Sequence, residues 1–408
     1  MTYIAWCLLG AAATVIVVLV RNTLYIRRKL LHYHSDKTPE HATVTSLREL
    51  HHSYPQIEKD AFKEQLSSVV REVREDSRPE RLKGDPARRG LYAHGDLMWE
   101  VGRESINFAG AARAVFLQTA HPYVASGVQQ HSKVADDVHR RFYNTFHHVF
   151  NINFGELKDA ERSAKQVRAI HDRVFGELEP TSGDFPYEER HLYTANHEGA
   201  VIWVWATLVE TSMLMFELFR TEMPLHEKEI YYEQQKEMAR FFGVEKSSVP
   251  PDWQSFMQYT TNMWNGDAVT VSDTAREMEK TLFRPTAFVS KLVTDSSRRL
   301  TFAIMPERLA RQYGYEITWA DRWHVYISFG IIRTIYQCLP GGLRYLTAYV
   351  KAVKRTTGED VCNPFLANIA AHMGSFIMDT LLMNPSMNVK NWNDSKIKHI
   401  DTTALLAE

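Results

Sequence analysis

The chain has 408 residues and a formal net charge of −1, because 48 lysines and arginines stand against 49 aspartates and glutamates. A chain so close to neutrality has no overall field to hold DNA or RNA, which argues against a nucleic-acid partner. Its 44% hydrophobic and 24% charged residues exclude a disordered chain and a polytopic membrane protein, and its three cysteines lack the spacing of a disulfide framework or a zinc site.

The first predicted element is an uncharged, almost wholly apolar run from Ile4 to Val20. About 20 residues at about 1.5 Å each match the ~30 Å hydrocarbon core of a bilayer, so the run predicts one spanning helix. A cleaved signal peptide is the alternative, but such peptides carry positive charge before the apolar run, whereas Arg21, Arg27 and Arg28 follow it. The positive-inside rule then predicts a single-pass protein whose body faces the cytosol, in a eukaryote from the endoplasmic reticulum.

The rest of the chain predicts an all-α body. Strand patterns are scarce after Gly90, and segments with a period of 3.6 residues follow one another as far as Val350. The stretch before this body is polar and ends in a loop rich in proline and glycine. The predicted organisation is a membrane anchor over 1–26, a polar juxtamembrane segment over 27–87, the main domain over 88–350 and a C-terminal helical tail over 351–408.

Periodicity orients the helix predicted over 156–176. Ala160, Ala164, Val167 and His171 recur at helical spacing and share one stripe, which Val174 continues. The stripe predicts that His171 faces the core.

The helix predicted over 198–219 is apolar nearly all round, which is typical of the central helix of a large bundle. Glu210 and Glu217 argue against a second membrane span. Thr207, Glu210 and Thr211 share one face, so this helix is predicted to carry one polar stripe through an apolar interior.

Histidine is the residue type with the clearest chemical potential, since the chain lacks the usual nucleotide loops, hydrolase elbows and zinc motifs. A neutral imidazole on a buried stripe can coordinate iron through one nitrogen while the other donates to an acceptor. The plainer alternative is a core histidine with satisfied hydrogen bonds. The histidines inside apolar helical segments are His121, His147, His148 and His171.

A di-iron carboxylate site is a competing interpretation, because the spacing Glu-x-x-His occurs at Glu49/His52 and at Glu188/His191. The first pair lies in the polar stretch, and the second follows a proline in a predicted loop. Neither pair is predicted in the middle of a helix, where such ligands must converge.

Four segments together resemble a known family. They are GAARAVFLQTAHPYVASGVQQHS (110–132), RFYNT (141–145), VRAIHDRVFG (167–176) and YTANHEGAVIWVWATLVETS (193–212). They resemble the catalytic domain shared by bacterial rubber oxygenase and the endoplasmic-reticulum-bound oxygenase of mycophenolic acid biosynthesis, over roughly residues 88 to 350. The resemblance implies a globin-like helical core that holds a b-type haem and uses dioxygen to cleave carbon–carbon double bonds in isoprenoid chains.

The resemblance also implies roles for particular residues. His171, in the motif VRxxH, would be the axial iron ligand. Arg141 and Thr145, in the pattern R-x-x-x-T, would be catalytic residues of the haem pocket, where the guanidinium could pair with a propionate or polarise bound oxygen. An ordinary surface ion pair is the alternative for Arg141. Asn144, at the edge of the cofactor site, stands where rubber oxygenase has a lysine that can occupy the open iron position.

A second departure concerns the catalytic base. Rubber oxygenase has a distal glutamate whose equivalent falls near Ala125, where this chain has no carboxylate. His121 is the candidate for a distal or supporting catalytic role, and the alternative is a helix-end histidine that caps carbonyls. Trp203 is expected to pack against haem or core, whereas His197 is interpreted as incidental.

These expectations combine into one functional hypothesis. The chain is expected to be a membrane-anchored haem b oxygenase that uses dioxygen on a lipophilic, unsaturated, isoprenoid-like small molecule, most simply by cleaving a C=C bond. A tether at the bilayer would raise the encounter rate with such a substrate. A membrane-tethered haem or lipid-binding protein without turnover, and a haem hydroxylase of the same family, remain the alternatives.

Overall fold

The computed structural model describes residues 2–35, 47–78, 85, 88–131, 134–178, 192–284 and 291–362. Side chains are described from Thr14 onward in the first helix and from Asn144 onward in the helix that contains it. The pair Glu188/His191, and all of the predicted tail after residue 362, lie outside these ranges.

The described part of the chain is helical apart from one small hairpin, which confirms the predicted all-α class. Strands β1 (Phe175–Glu177) and β2 (Leu192–Thr194) pair antiparallel, with Gly176 opposite Tyr193. A 3₁₀ turn at Ser105–Gly110 precedes the central part of the bundle. The α-helices are α1 (Thr2–Ser35), α2 (Leu47–Ser53), α3 (Lys59–Glu75), α4 (Leu97–Gly102), α5 (Ala111–Thr119), α6 (Pro122–His131), α7 (Val134–Phe154), α8 (Leu157–His171), α9 (Glu198–Phe219), α10 (Leu225–Phe241), α11 (Trp253–Asn265), α12 (Asp273–Leu282), α13 (Lys291–Ala303), α14 (Glu307–Gln312), α15 (Trp319–Cys338), α16 (Gly341–Arg344) and α17 (Thr347–Thr357).

Helix α9 forms the centre of the bundle, as its sequence predicts. Of its 22 residues, 18 are buried, and it contacts α5, α10, α15 and the 3₁₀ turn. In the part of the chain whose side chains are described, α9 is also the one helix whose length and composition would allow it to cross a membrane, but most of it lies inside the body. Burial on all sides explains the absence of a hydrophobic stripe in this helix.

The second half of α1 is docked on the body. Ile26 and Leu30 are buried in a cluster with residues of α9 and α15. Asn22 Nδ2 donates a hydrogen bond to Thr334 Oγ1 of α15 at 2.8 Å. The long first helix is therefore tied to the domain at its C-terminal half.

The first half of α1 differs from the second. Val15, Ile16, Val17 and Val20 are all more than half exposed. Most of the predicted span, Ile4 to Val20, has its side chains outside the described part of the chain. The spanning helix thus stays a prediction, although a continuous helical backbone runs through it.

The described helices within 27–87 pack on the folded body, although the composition of this stretch suggests a separate juxtamembrane segment. Helix α3 packs on α8 and α10, and the side chains on one of its faces join the main core. The polar average of this stretch conceals an amphipathic period, which is why composition misplaces it. Helix α17 likewise continues the core across the predicted boundary at 350. The buried residues in question are Phe62, Leu66, Val69, Val70 and Val73 in α3 and Ala352 and Val353 in α17.

Helices α7 and α8 form a helical hairpin. Only Gly155 and Glu156 separate them, and a connection this short makes neighbouring helices antiparallel. Gly155 is required there, because a Cβ atom would come within 2.3 Å of the Asn151 carbonyl oxygen. The hairpin therefore places the end of α8 beside the first half of α7.

Candidate active site

The bundle interior contains an apolar cavity of about 230 Å³. Its walls come chiefly from α5, α7 and α9, and α4, α6, α10 and α12 contribute further residues. Hydrocarbon side chains cover most of its surface. They include Phe108, Ala114, Val128, Val149, Phe150 and Leu208.

A few neutral polar groups interrupt this apolar wall. Gln118 lines the cavity, and its Nε2 donates to Thr207 Oγ1 at 3.0 Å, which fixes the amide in place. Thr145 also lines the cavity and is exposed, so the cavity reaches the surface at that point of α7. No charged side chain is among the described residues of the wall. The site therefore suits an uncharged, hydrocarbon-rich ligand.

A buried ion pair lies behind the wall formed by Thr211. Arg113 Nη1 donates to Glu210 Oε2 at 2.6 Å and Arg113 Nε donates to the Ile304 carbonyl at 2.8 Å. Tyr33 of α1 donates to Glu210 Oε1 at 2.6 Å, and Arg113 also donates to Thr211. Burial raises the pKa of Tyr33 well above its usual value, so the phenol stays protonated.

The polar stripe predicted on α9 is confirmed by these contacts. Thr207, Glu210 and Thr211 are all buried, and each has a hydrogen-bond partner on another helix. A buried carboxylate is costly unless it is paired or hydrogen-bonded, and Arg113 and Tyr33 supply both kinds of partner to Glu210. The arrangement joins α1, α5 and α9 directly behind the cavity.

His121 is fully buried immediately before α6. Its Nδ1 accepts a hydrogen bond from the backbone N–H of Tyr123 at 3.2 Å, so the ring caps an amide of α6 and not the carbonyls that were weighed as the alternative. Its Nε2 has no hydrogen-bond partner among the described residues. Burial, and then the nearby His197, lower the pKa of His121 to about 3, so its imidazole is neutral near pH 7.

His197 belongs to the same cluster, which sequence reasoning missed. The ring of Tyr123 packs edge-on against both histidines, with centroids 5.3 Å from His121 and 5.0 Å from His197. His197 is buried and directly precedes α9. His121 and His197 are close because the first turns of α6 and α9 meet. No local spacing in the sequence predicts that contact.

His171 is half-buried at the last position of α8. Ala160 and Ala164 of the predicted stripe are fully buried, whereas Val167 and His171 are buried only in part. The α7–α8 hairpin places His171 at the end that also contains Arg141, Asn144 and Thr145, although the side chain of Arg141 is not described. Asn144 is exposed, and Thr145 is the member of this group that lines the cavity.

The remaining predicted site residues lie away from the cavity. Trp203 is fully buried, and its Nε1 donates to the Leu117 carbonyl at 2.8 Å, so the structure places it in the core. Ala125 is buried in α6, and no carboxylate occupies its position. Burial, followed by the neighbouring His147, lowers the pKa of His148.

Metal-ligating side chains do not cluster in the described ranges. No three His, Cys, Asp or Glu residues converge there on a possible metal position. Glu49 and His52 lie exposed on the short helix α2, which does not favour the di-iron interpretation. A haem iron, in contrast, needs only one protein ligand in addition to its four porphyrin nitrogens.

Comparison with known proteins gives one match. The family described as ER-bound oxygenase mpaB/B'/rubber oxygenase, catalytic domain, matches residues 98–334, which is more than half of the chain. This region contains nearly the whole cavity wall, the α7–α8 hairpin and the His121 cluster. No curated protein and no solved structure gives a match.

Proposed function

Because the chain belongs to this family of oxygenase catalytic domains, we propose that it is a haem-dependent oxygenase acting on a lipophilic, unsaturated small molecule of isoprenoid type. The family makes the protein an oxidoreductase that takes dioxygen and a small-molecule substrate. The observation that carries the finer proposal is the cavity, whose described wall has mostly hydrocarbon side chains, some neutral polar groups and no charge. Such a wall favours a hydrocarbon chain over a charged metabolite.

His171 is the proposed haem ligand. The described residues offer no converging set of protein ligands for a bare metal ion, whereas haem requires a single imidazole. His171 ends α8 at the same end of the hairpin as Arg141, whose guanidinium would pair with a haem propionate. When bound, haem supplies the iron redox chemistry by which dioxygen is activated.

The other proposed roles belong to side chains of the cavity. Its apolar walls bind the substrate chain and exclude water. The Gln118 amide, held by Thr207, and the hydroxyl of Thr145 give the wall two neutral hydrogen-bonding groups that orient a polar substituent. His121, neutral and buried behind α6, would support the distal side without touching the substrate.

A membrane location is the further part of the proposal. We expect the run Ile4–Val20 to span the bilayer once, with the domain on the cytosolic side of the endoplasmic reticulum, because Arg21, Arg27 and Arg28 follow the run. The exposed valines and isoleucine of the first half of α1 support this expectation. Anchoring places the cavity close to a substrate that partitions into lipid.

A carrier without turnover is the second candidate, and one observation favours it. Ala125 stands where rubber oxygenase has its catalytic glutamate, and the described cavity wall has no carboxylate that could replace it. Such a protein would bind haem and the lipophilic ligand but would not consume oxygen.

Oxygen uptake with unsaturated terpenoids separates these candidates, and the product mass separates C=C cleavage from hydroxylation. We expect turnover by the wild-type protein and a loss of about tenfold in kcat/KM, ~1.4 kcal/mol, in Val149→Phe, which fills the cavity. His147→Phe is the matched control, because His147 lies exposed on the same helix. Ligand binding without oxygen uptake would support the carrier. Equal activity of Val149→Phe and His147→Phe would contradict the proposal that the substrate binds in the cavity.

A further inference from the structure

Three neighbouring helices expose large apolar side chains that do not line the cavity. On α15, Ile327, Ile331 and Ile335 recur every four residues, and each is more than 40% exposed. Scattered exposed isoleucines need no explanation, but a row along one helix creates a continuous apolar strip. The neighbours of α15 show whether this strip is isolated.

Helix α1 lies along one side of the strip and runs antiparallel to α15. Asn22 contacts Thr334, and Arg27 lies over the ring of Trp323, so residue numbers rise along α1 as they fall along α15. The helices touch closely, because a Cβ on Gly330 would come within 2.9 Å of an α1 backbone atom. The part of α1 before Asn22 therefore extends beyond the C-terminal end of α15, close to Ile335.

Helix α13 lies along the other side of the strip. Ser296 hydrogen-bonds to His324, and Arg299 pairs with Asp321, so α13 also runs antiparallel to α15. This pairing places the first turn of α13 level with Ile327. Its residues Leu292 and Val293 are exposed.

The exposed apolar side chains of the three helices make one surface, which we call the α1/α13/α15 surface. Helix α1 contributes its outward side chains beside the seam with α15. Helix α15 packs on α9, whose other face helps to line the cavity. The members of the surface are Val20, Leu24 and Leu31 of α1, Leu292 and Val293 of α13, and Ile327, Ile331 and Ile335 of α15.

The borders of this surface indicate what covers it. Arg21, Arg27 and Arg28 are exposed on α1, where they can contact anionic headgroups. The surface also continues directly into the uncharged run Ile4–Val20. A surface that binds a second protein molecule would have no reason to continue into an apolar run long enough to cross a membrane.

We propose that the part of the α1/α13/α15 surface nearest the span, around Val20, Ile331 and Ile335, lies in the boundary between headgroups and acyl chains of the bilayer, so that α15 holds the domain on the membrane beside the anchor. The inference rests on the membrane location given under Proposed function and goes beyond it, since it adds a second contact between the domain and the bilayer beside the docked helix α1. A second helix that contacts the lipid boundary restricts the tilt of the domain.

The experiment uses the full chain on phosphatidylcholine vesicles that contain phosphatidylserine. Cys7, Cys338 and Cys362 are replaced by serine, and a nitrobenzoxadiazole label is attached to Ile331→Cys. The matched control is Ile170→Cys, because Ile170 is 55% exposed on α8, which contributes nothing to the surface. Vesicle flotation measures membrane binding. The label's emission, with and without doxyl-labelled lipid, measures its immersion.

The proposal predicts that both proteins float and that only the Ile331→Cys label shifts to the blue and is quenched several-fold more by doxyl lipid. If both proteins float but both labels emit as they do in water, the result would overturn this inference and leave the predicted membrane anchor intact. Protein that does not float would overturn the membrane location and this inference together. A blue-shifted label that doxyl lipid does not quench would show that a second copy covers the surface, which contradicts the proposal.

Discussion

His121 illustrates how burial determines the protonation of a side chain in this protein. The ring is fully buried and its Nδ1 accepts a backbone hydrogen bond, so the neutral form is the one that fits. Protonation would place a charge beside His197 in an apolar region. The folded state therefore resists a proton that the unfolded chain accepts at its ordinary pKa of about 6.5.

This difference predicts a pH dependence of stability. The folded-state pKa is depressed, so the stabilisation is complete above about pH 6.5 and is lost as the pH falls towards 3, because the unfolded state binds the proton first. Between pH 7 and pH 5, His121 should account for a loss of about 2 kcal/mol in the free energy of unfolding. His121→Asn keeps an acceptor for the Tyr123 N–H and should lose less stability over this range. Urea denaturation at pH 7 and at pH 5 measures the free energy of unfolding of both proteins.

His226→Asn is the control for this measurement, because His226 is exposed on α10. It should retain the wild-type loss between pH 7 and pH 5. If His121→Asn and His226→Asn changed stability with pH to the same extent, His121 would not be the titrating group.

Residues differ in how much of their environment the sequence reveals. Ala160 and Ala164 could be predicted as buried, since helical periodicity alone orients them. His197 could not be predicted as a neighbour of His121, because that contact joins two helix starts that are distant along the chain. Local rules determine the face of a helix, whereas tertiary packing determines which faces meet.

At the scale of elements, the junction of α1, α5 and α9 is the most consequential contact. Arg113 and Glu210 are buried with charges 2.6 Å apart, and Tyr33 and Thr211 complete their hydrogen bonds. Thr211 also belongs to the cavity wall. The junction thus connects the docked end of the first helix with the candidate active site.

Removing one partner of this ion pair should destabilise the fold strongly. Glu210→Gln leaves the Arg113 guanidinium buried without its carboxylate, which should reduce the free energy of unfolding by about 3–5 kcal/mol. Asp159→Asn is the control, because the Asp159–Arg162 pair is exposed and should contribute less than about 1 kcal/mol. Denaturant titration of both variants tests this. A loss below about 1 kcal/mol in Glu210→Gln would contradict the structural role of the pair.

Element predictions succeeded where one helix determined the outcome. The uniformly apolar α9 could be recognised as the central helix from its composition. The docking of α1 on α15 could not, because it depends on the small Gly330 meeting Thr23 across a long separation in sequence. The contribution of α3 to the core was also missed, since average polarity conceals a buried stripe.

At the scale of the whole molecule, the family match and the cavity agree. The matched region, residues 98–334, contains the helices that enclose the cavity, and segments outside it add α3 and α17 to the same core. The first helix connects this domain to the predicted membrane span. The overall organisation is that of an oxygenase domain with an apolar cavity inside and one apolar strip on its outside.

The most direct test of the central claim is the visible absorption spectrum of the full-length protein, as isolated and after reduction with dithionite. The spectrum of His171→Ala is recorded beside it, with His226→Ala as the control for loss of an exposed histidine. The account predicts a Soret band in the wild type and in His226→Ala that is lost or shifted in His171→Ala. A wild-type protein without a Soret band, or an unchanged band in His171→Ala, would contradict it.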